Sequence, residues 1–309
     1  MDSATIVITT KDRPELFAKA LQSVAAQSVE CEIIVIDDGP AKIDVAGICE
    51  DAPCPVQYVR NATPRGIIAA RNQAFAMATG EFVFTLDDDA VFASPDLVQR
   101  VCNEFRFPEV GAVGIPLTDH YPDGRVKQRL PRLPRADEFF CTPQFAGGAN
   151  ALRRCVIEQL GGYSGDGRQG EEQDFALRML DLGYLVKVAN DCMIDHYPQH
   201  AGGRPPGLYR MNVRANVMMA GRIVPLPHAL TYSLGNWLSH TRIAGLGAES
   251  LDPHIGLVQG MFGCLRAWRS RQPVSRSTYV TFRKWVRLWL ADREIYGQVA
   301  RRHGRELRR

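Results

Sequence analysis

Apolar segments of strand length alternate with segments of helical character in the first half of the chain. Three of them are apolar almost throughout: TIVITT (residues 5–10), EIIVI (residues 32–36) and EFVFTL (residues 81–86). A strand that is apolar at every position, rather than at every second one, is typical of a sheet that is covered on both faces. Such strands, separated by helices, predict an α/β fold with a largely parallel sheet.

The rest of the first 200 residues fits the same scheme. The first helix is expected from Pro14 to about Gln27, with Asp12 as a candidate cap, and Ser94 is expected to cap another helix. Further helices are predicted at 67–79, 94–105, 153–160 and 171–183, and further strands at 55–59, 110–116 and 184–189. Residues 117–143 have no clear period, so we predict a long loop that closes over a bound ligand.

The composition is that of a globular protein. The chain has 309 residues, of which 45% are hydrophobic and 23% are charged. It contains no apolar run of about 18 residues and no basic n-region of a signal peptide, so neither a membrane span nor a leader is expected. Its eight cysteines form no C-x-x-C pair, which argues against zinc and disulfide frameworks and fits a reducing cytosol.

The positive charge is concentrated at the C-terminal end. The segment 266–309 contains thirteen Arg or Lys and three acidic residues, whereas the rest of the chain is net negative. Within it, residues 279–300 interleave basic residues with apolar ones at helical spacing. Two interpretations remain open, a helix packed on the protein by its apolar face and a helix lying on an anionic membrane. No nucleic-acid motif accompanies the charge, so a nucleic-acid partner is not expected.

Three consecutive carboxylates, Asp87, Asp88 and Asp89, follow the apolar segment 81–86. The charges of neighbouring carboxylates repel one another. A solvated turn would account for one or two aspartates at this point of the chain. Three at the carboxyl end of a buried strand indicate a divalent cation such as Mg²⁺ or Mn²⁺ with a bound phosphate. Ligands of open α/β sheets also bind beyond the carboxyl ends of strands.

An ordered set of seven segments resembles the inverting glycosyltransferases of the GT-A fold, family-2 type. The segments are TTKDRP (9–14), IDDG (36–39), GIIAARN (66–72), LDDD (86–89), FAGGAN (145–150), GEEQDFALR (170–178) and DH (195–196). The resemblance covers about residues 5–197. It implies a GT-A catalytic domain at 1–200, with a nucleotide-binding half at about 1–115 and an acceptor and catalytic half at 116–200. A helical, basic C-terminal region would occupy 201–309.

The resemblance also implies roles for individual residues. Those expected around a nucleotide-sugar donor are Thr10, Asp12, Arg13, Asp37, Arg71, Asp87, Asp88, Gly147, Gly148 and Glu171. Asp87, Asp89 and His196 would bind Mn²⁺ or Mg²⁺, with His200 as a weaker alternative to His196. Each of these residues also has an ordinary structural explanation, such as a turn at 37–39 or a histidine with a purely structural role.

The general base is expected in the first turn of the helix after Gly170. The resemblance aligns Glu172 with an Asp that serves as the base in the family, and Asp174 with the Asp that follows it. Because Glu replaces Asp at the base position, both Glu172 and Asp174 remain candidates. The alternative is that these acids merely complement the positive end of the helix dipole.

The resemblance therefore implies transfer of a single sugar from a nucleotide-diphosphate sugar to a glycan or lipid-linked acceptor. The implied setting is cell-surface polysaccharide, glycolipid or glycoconjugate assembly in a bacterium, in the cytoplasm or on the inner face of the plasma membrane. Three alternatives remain open, and the first two use the same acidic cluster. They are a nucleotidyltransferase, a haloacid-dehalogenase-like phosphatase matching Asp87, Asp89 and Val91, and a non-catalytic nucleotide-sugar-binding protein.

Overall fold

The computed structural model describes residues 3–39, 44–129, 139–165, 170–199, 206–247 and 249–308. Its strands are β1 Ala4–Thr10, β2 Glu32–Asp37, β3 Gln57–Arg60, β4 Phe82–Asp87, β5 Ala90–Phe92, β6 Val110–Gly114, β7 Leu117–His120, β8 Val126–Gln128, β9 Phe140–Thr142, β10 Ala149–Arg153, β11 Leu185–Val188, β12 Ile194–His196 and β13 Ala291–Asp292. Its α-helices are α1 Pro14–Ala25, α2 Val45–Glu50, α3 Ile67–Met77, α4 Leu97–Glu104, α5 Arg154–Leu160, α6 Glu171–Asp181, α7 Leu208–Ile223, α8 His228–Ala244, α9 Asp252–Arg266, α10 Arg276–Leu288 and α11 Arg293–Arg302.

The main sheet has nine strands in the order β13-β9-β11-β6-β10-β4-β1-β2-β3. The pairs β3–β2, β2–β1, β1–β4 and β6–β11 are parallel, while β9 and β10 run against their neighbours. The expected α/β fold with a mostly parallel sheet is therefore confirmed. The apolar strands β1, β2 and β4 lie inside the sheet, where both faces are covered. Their side chains are therefore buried, as at Ile6, Ile8, Ile34, Ile36 and Phe84.

The register of the parallel strands brings the predicted site residues to one edge. Thr9 lies opposite Asp87 in the β1–β4 pair, and Thr10 lies opposite Asp37 in the β1–β2 pair. The carboxyl ends of β1, β2 and β4 therefore meet at the same edge, which is where ligands of open α/β sheets bind.

A second sheet has the order β5-β12-β7-β8. It shows that the prediction of a structureless loop over 117–143 was wrong, because β7, β8 and β9 lie in that range. β7 and β8 form an antiparallel hairpin whose turn contains Gly124 at a φ of 83°, a conformation that glycine adopts without strain. The middle of the expected lid, residues 130–138, lies outside the described residues.

Two predicted helix caps were also wrong. The residue that precedes α1 is Arg13, no side chain caps this helix, and Asp12 has a φ of 60°. Asp96, rather than Ser94, precedes α4, and the Ser94 hydroxyl donates to the Asp96 carboxylate instead of to the helix. Asp12 lies two residues before the first residue of α1, and Ser94 lies three residues before the first residue of α4.

The C-terminal region contains α7 to α11. The helix expected across 279–300 is interrupted, because α10 ends at Leu288 and β13 pairs with β9 before α11 begins. Phe282 and Trp285 on α10 are buried, so this part of the apolar stripe packs inside the protein. β13 belongs to the C-terminal region but extends the main sheet, so the two regions share one sheet. The domain boundary near residue 200 remains a prediction. Among the described helices, none combines the length and hydropathy needed to cross a bilayer.

Candidate active site

The three consecutive aspartates at the end of β4 have different surroundings. Asp88 is buried, accepts hydrogen bonds from the Thr10 hydroxyl at 2.9 Å and the Lys11 amide at 3.2 Å, and pairs with Arg13 at 2.5 Å. Burial raises the pKa of Asp88 to about 6, with Asp89 adding to the rise and Arg13 opposing it. Asp88 therefore connects the end of β4 to the loop after β1.

Asp89 and His196 form the second part of the site. The His196 Nε2 atom lies 3.2 Å from an Asp89 oxygen, and its Nδ1 atom lies 2.7 Å from an oxygen of Asp119 on β7. Burial lowers the pKa of His196, but the hydrogen bonds to both carboxylates outweigh it and the net shift is upward. Burial raises the pKa of Asp89, but its bond with His196 and the charge of Arg13 make the net shift downward.

Asp87, Asp89 and His196 can converge on one ion. One ligand atom from each lies within 4.8 Å of the other two. Two carboxylates and an imidazole are ligands that suit a divalent ion such as Mn²⁺. The backbone leaves room beside Asp87, because a Cβ added to Gly148 would lie 2.1 Å from the Asp87 carboxylate. These residues fit a divalent metal ion, whereas His200 lies outside the described residues.

Asp87 and His196 line a cavity of about 250 Å³ at the edge of the main sheet. Its lining residues are Ile67, Arg71, Asp87, Leu117, Arg129, Ala146, Gly147, Gly148, Glu171, Glu172 and His196. Seven of them were expected at the site from the sequence: Arg71, Asp87, Gly147, Gly148, Glu171, Glu172 and His196. The cavity combines cationic side chains, carboxylates and exposed backbone, as a site for a charged ligand requires.

Arg71 on α3 is the buried cation of this cavity. Its guanidinium donates to Asp87 at 2.7 Å and to Glu171 at 3.3 Å. Burial lowers its pKa, but the carboxylates of Asp87 and Glu171 outweigh that effect and the net shift is upward. Arg71 therefore remains charged and holds Asp87 and Glu171 in place.

Glu171 and Glu172 begin α6, directly after Gly170, whose φ is 86°. Burial raises the pKa of both carboxyl groups, and the charge of Glu171 raises the pKa of Glu172 further. Oε2 of Glu171 is buried without a hydrogen-bond partner among the described residues. A carboxylate with a raised pKa is a better proton acceptor than an ordinary one, and this is the property that a general base needs.

Asp174, the other candidate base, is bound on all sides by protein groups. Its carboxylate accepts from Arg178 at 2.7 Å, from Ser164 at 2.5 Å and from Arg222 on α7. It is buried and does not line the cavity. This arrangement favours Glu172 over Asp174 as the base and gives Asp174 a role in joining α6 to α7.

Asn150 on β10 holds the backbone at Ala146 and Gly147, beside the cavity. The Asn150 amide donates to the carbonyl oxygens of Ala146 at 2.7 Å and Gly147 at 3.0 Å, and to the Thr85 hydroxyl at 2.7 Å. A Cβ on Gly147 would lie 2.4 Å from Glu172 and 2.6 Å from Arg71. Only glycine therefore lets this backbone approach both side chains.

A comparison with protein families identifies the chain. The pattern of Glycosyl transferase family 2 matches residues 5–161, which is about half of the chain. The chain belongs to this family. The family resemblance inferred from the seven segments is thereby confirmed, and β1 to β4, the aspartates and the glycines at 147–148 all lie inside the matched range.

Relatives of this family 2 chain take part in bacterial polysaccharide synthesis. Succinoglycan biosynthesis protein ExoM of Rhizobium meliloti is 33% identical over 216 residues, which are 62% of this chain and 66% of ExoM. Succinoglycan biosynthesis protein ExoU of the same organism is 26% identical over 205 residues, 60% of this chain and 59% of ExoU. O-antigen biosynthesis protein RfbC of Myxococcus xanthus is 24% identical over 219 residues, 62% of this chain but only 17% of RfbC. The match thus spans less than two thirds of ExoU and RfbC.

Solved structures confirm the GT-A fold of this family 2 chain. The mannosyltransferase PcManGT of Pyrobaculum calidifontis, in complex with GDP-Man and Mn²⁺, has a TM-score of 0.55 and 21% identity over 97% of this chain and 86% of that one. Residues 1–349 of S. aureus TarS, in complex with UDP-GlcNAc, have a TM-score of 0.63 and 15% identity over 99% of this chain and 93% of that one. At these identities the likeness shows the fold alone.

Several residues that were expected to contact the donor do not line the cavity of this family 2 chain. They are Thr10, Asp12, Arg13, Asp37 and Asp88. Thr10 and Arg13 bind Asp88, as described above. The buried Asp37 accepts from the Gly39 amide and the Tyr58 hydroxyl at 2.9 Å each, and from Arg60 at 2.8 Å. Their contact with a donor remains a prediction.

Sequence reasoning missed Asp119 and Arg129, which lie on and just after the β7–β8 hairpin. Arg129 lines the cavity and donates to Asp119 at 2.8 Å, while Asp119 holds His196. Burial raises the pKa of Asp119, but Arg129 and His196 outweigh it and lower the pKa. The signal that could have revealed the hairpin is the Pro122-Asp123-Gly124 turn, which has the composition of a tight turn between two strands.

Proposed function

We propose that this chain is a metal-dependent inverting glycosyltransferase. It would transfer one sugar from a nucleotide-diphosphate sugar to a hydroxyl group of a glycan or lipid-linked acceptor. The observation that carries the proposal is the cavity in which the half-buried Glu172 carboxylate lies with Arg71, Asp87 and His196. This arrangement joins a candidate base to the groups that a departing diphosphate needs.

In the proposed reaction Glu172 removes the proton of the acceptor hydroxyl. The acceptor oxygen then forms a bond to the anomeric carbon from the face opposite the leaving group, and the bond between that carbon and the diphosphate oxygen breaks. Negative charge develops on the departing nucleoside diphosphate. Preformed cationic groups at that position lower the barrier, and the permanently charged Arg71 and Arg129 are suitable for this role.

Asp87, Asp89 and His196 would hold the divalent ion, Mn²⁺ or Mg²⁺. When bound, such an ion neutralises charge on the diphosphate as a Lewis acid. Asp119 would hold the His196 ring in one orientation through Nδ1, while Arg13 would hold Asp89. The choice of Mn²⁺ as the first ion to test is supported by PcManGT, whose structure contains Mn²⁺ together with GDP-Man.

Cell-surface polysaccharide, glycolipid or glycoconjugate assembly is the biological setting that we propose. ExoM and ExoU are named for succinoglycan biosynthesis and RfbC for O-antigen biosynthesis, which supports this setting. The reaction would take place in the cytoplasm or at the inner face of the membrane. All eight cysteines are free, which is compatible with a reducing compartment.

A donor screen tests the proposal. Thermal unfolding is measured with UDP-, GDP- and dTDP-sugars, each with and without Mn²⁺. A ligand at about 100 times its Kd stabilises the native state by about 2.7 kcal/mol, so the correct donor should raise the Tm only when Mn²⁺ is also present. A donor set that leaves the Tm unchanged in every combination would contradict the proposal.

Product analysis then separates the proposed reaction from its alternatives. A glycosyltransferase releases the nucleoside diphosphate from the donor, whereas a nucleotidyltransferase attacks phosphorus and exchanges pyrophosphate. A non-catalytic protein would bind the donor with equal affinity in the wild type and in Glu172→Gln, and neither would release a product. Slow hydrolysis of the donor by the wild type provides this readout before the acceptor has been identified.

A further inference from the structure

Two helices of the C-terminal region present apolar side chains to solvent. On α8, Leu230, Leu234 and Leu238 follow one another at four-residue spacing and are each more than half exposed. On α9, an exposed row is formed by Val258, Met261, Phe262 and Leu265, and Leu246 between the two helices is fully exposed. We call these side chains together the apolar hairpin surface. Adjoining exposed apolar rows of this kind mark an interaction surface.

Both rows point away from α7, on which the two helices pack. α9 contacts α7 through glycines, since a Cβ on Gly256 would lie 2.4 Å from the Arg210 carbonyl oxygen and one on Gly260 2.7 Å from Val217. α8 contacts α7 through Tyr232, whose hydroxyl donates to Asn216 at 2.7 Å. The opposite faces of both helices are therefore the exposed ones, so the core of the protein does not use them.

A basic cavity of about 350 Å³ lies beside the leucine row of α8, between α8 and α10. It is lined by His228, Thr231, Tyr232, Tyr279, Val280, Arg283, Lys284 and Arg287. Thr231 lies three residues before Leu234 on α8, where side chains are neighbours on the helix surface, so this wall of the cavity adjoins the leucine row. Apolar side chains thus adjoin a group of cations, an arrangement that matches an amphiphile with an anionic head group.

The cations of this cavity are not neutralised by the protein. Arg283, Lys284 and Arg287 form no ion pair with any residue that the structure describes, although Arg283 lies 5.6 Å from the centre of the Tyr232 ring. Nε2 of His228 is buried without a hydrogen-bond partner in the described part of the chain. α8 itself contains neither Asp nor Glu. The cavity would therefore attract an anionic partner.

We propose that the apolar hairpin surface and the basic cavity together bind the surface of an anionic phospholipid bilayer. The leucine and α9 rows would enter the boundary between head groups and acyl chains, and the cavity would receive a phosphate of a head group. The charge decides against a second copy of this chain. A two-fold contact through this face would bring the uncompensated cations of both copies close to one another. The surface differs from the aromatic stripe of α10, which is partly buried.

The inference deepens the proposed function, on which it rests for the reason why membrane contact would matter. A lipid-linked acceptor would be within reach of an enzyme held at the bilayer. The Tyr232 hydroxyl also lies 3.5 Å from Gln173, the neighbour of the proposed base. Vesicle binding is measured without donor or acceptor, so its failure and a failure of glycosyl transfer are separate results.

Vesicle co-sedimentation tests the proposal. The full chain is mixed with vesicles of phosphatidylcholine alone or with phosphatidylglycerol added, and the bound fraction is measured as a function of lipid and salt. We expect binding to the anionic vesicles that weakens with salt. Leu234→Ser with Leu238→Ser should weaken it about tenfold or more, and Arg283→Gln, Lys284→Gln and Arg287→Gln together by about tenfold or more.

Matched variants control for general changes of charge and hydropathy. Lys19→Gln, Arg301→Gln and Arg302→Gln remove the same charge from exposed positions elsewhere, and Ile295→Ser removes an exposed apolar side chain from α11. These variants should bind vesicles within about twofold of the wild type. The Tm of each variant, measured without ligand, checks that the fold is intact.

Three outcomes would overturn the proposal. The first is a wild type that pellets with neither vesicle. The second is an equal loss of binding in the control and test variants. The third is a protein dimer, detected by analytical ultracentrifugation, that the leucine double variant dissociates. Release from the vesicles by inorganic phosphate, more effectively than by sodium chloride of equal ionic strength, is the result expected if the cavity receives a head-group phosphate.

Discussion

The sheet region, residues 3–199, and the helical region, residues 206–308, distribute charge and apolar surface in opposite ways. Every buried ionisable side chain that carries a formal charge lies in the sheet region as far as the structure describes it: Asp37, Asp38, Arg71, Asp88, Asp89, Glu104, Glu109, Asp119, Glu171, Asp174 and Lys187. The large exposed apolar side chains lie almost entirely in the helical region, since only Val126 and Tyr197 are exceptions among the described residues.

This contrast indicates what each region can do. Buried charges cost free energy unless they are paired, so a region that collects them and pairs them across strands is organised around an electrostatic site. Exposed apolar rows favour aggregation unless a partner covers them, so the helical region has the surface of an interaction site. The sheet region is thus expected to carry out the reaction, and the helical region to bind a partner surface. Substitutions in the sheet region should therefore change turnover or metal affinity, and those in the helical region should not.

The largest effect is expected from Glu172→Gln in the sheet region. Loss of a general base lowers kcat by about 10²–10⁴-fold, while donor affinity should remain. Folding raises the pKa of Glu172, so the ionised carboxylate is disfavoured in the native state. At pH values above that pKa, Gln removes a destabilising charge, and the Tm should rise. Turnover and thermal unfolding, measured at the same pH, check both effects.

Asp174→Asn is the matched control on the same helix. It leaves the base in place but removes the partner of Arg178 and Arg222, so it should cost about 1–3 kcal/mol of stability. Its kcat should change far less than that of Glu172→Gln. If Asp174→Asn were folded but without turnover while Glu172→Gln stayed active, Asp174 would be the base and Glu172 would not.

The next effect is expected from Gly148→Ala. The new Cβ would lie 2.1 Å from the Asp87 carboxylate, so Asp87 must move out of the metal site. A displacement of about 1 Å at a reacting centre can lower the rate by about 10²-fold. Mn²⁺ affinity, measured by titration calorimetry, should fall together with turnover. An unchanged affinity would show that Asp87 is not a ligand.

Asp119→Asn should have a smaller effect on the same site. Asp119 holds Nδ1 of His196 at 2.7 Å, and loss of such a partner typically lowers metal affinity by about 10–100-fold. The control is Asp195→Asn on β12, the strand of His196, because Asp195 pairs with His120 at 2.8 Å rather than with His196. Equal Mn²⁺ affinities of the two variants would contradict the role of Asp119 in orienting His196.

The parts of this site that the sequence predicts are those encoded locally. An apolar strand followed by three aspartates and a glycine pair followed by Asn150 can be recognised within a few residues. Asp119 could not be found this way, because its partner His196 lies on β12, far along the chain. Arg129 in turn is held at the site by Asp119. The strand β10 was not predicted, because the polar Asn150 lies among its five residues. Asn150 can be buried there because Thr85 and the carbonyl oxygens at 146 and 147 accept hydrogen bonds from its amide.

The fold of the helical region was less predictable for a related reason. An amphipathic pattern shows that a helix has an apolar face but does not show what covers it. The pattern at 279–300 allowed either packing or membrane contact, and the structure buries Phe282 and Trp285. The leucines of α8 have an equally regular spacing, yet they are exposed. The buried face of α10 and the exposed leucines of α8 are distinguished only by the positions of α6, α7 and β9 in space.

The smallest effect is expected from a pair of glycines in the helical region. Gly235 on α8 has open space around its Cβ position, so Gly235→Ala should stabilise the protein by about 0.5–1 kcal/mol through helix propensity. A Cβ added to Gly256 on α9 would lie 2.4 Å from the Arg210 carbonyl oxygen, so Gly256→Ala should destabilise the protein by about 1–3 kcal/mol through overpacking. Chemical unfolding measures both values. Neither change should alter Mn²⁺ or donor affinity, and a large change in either would show that the helical region is coupled to the catalytic cavity after all.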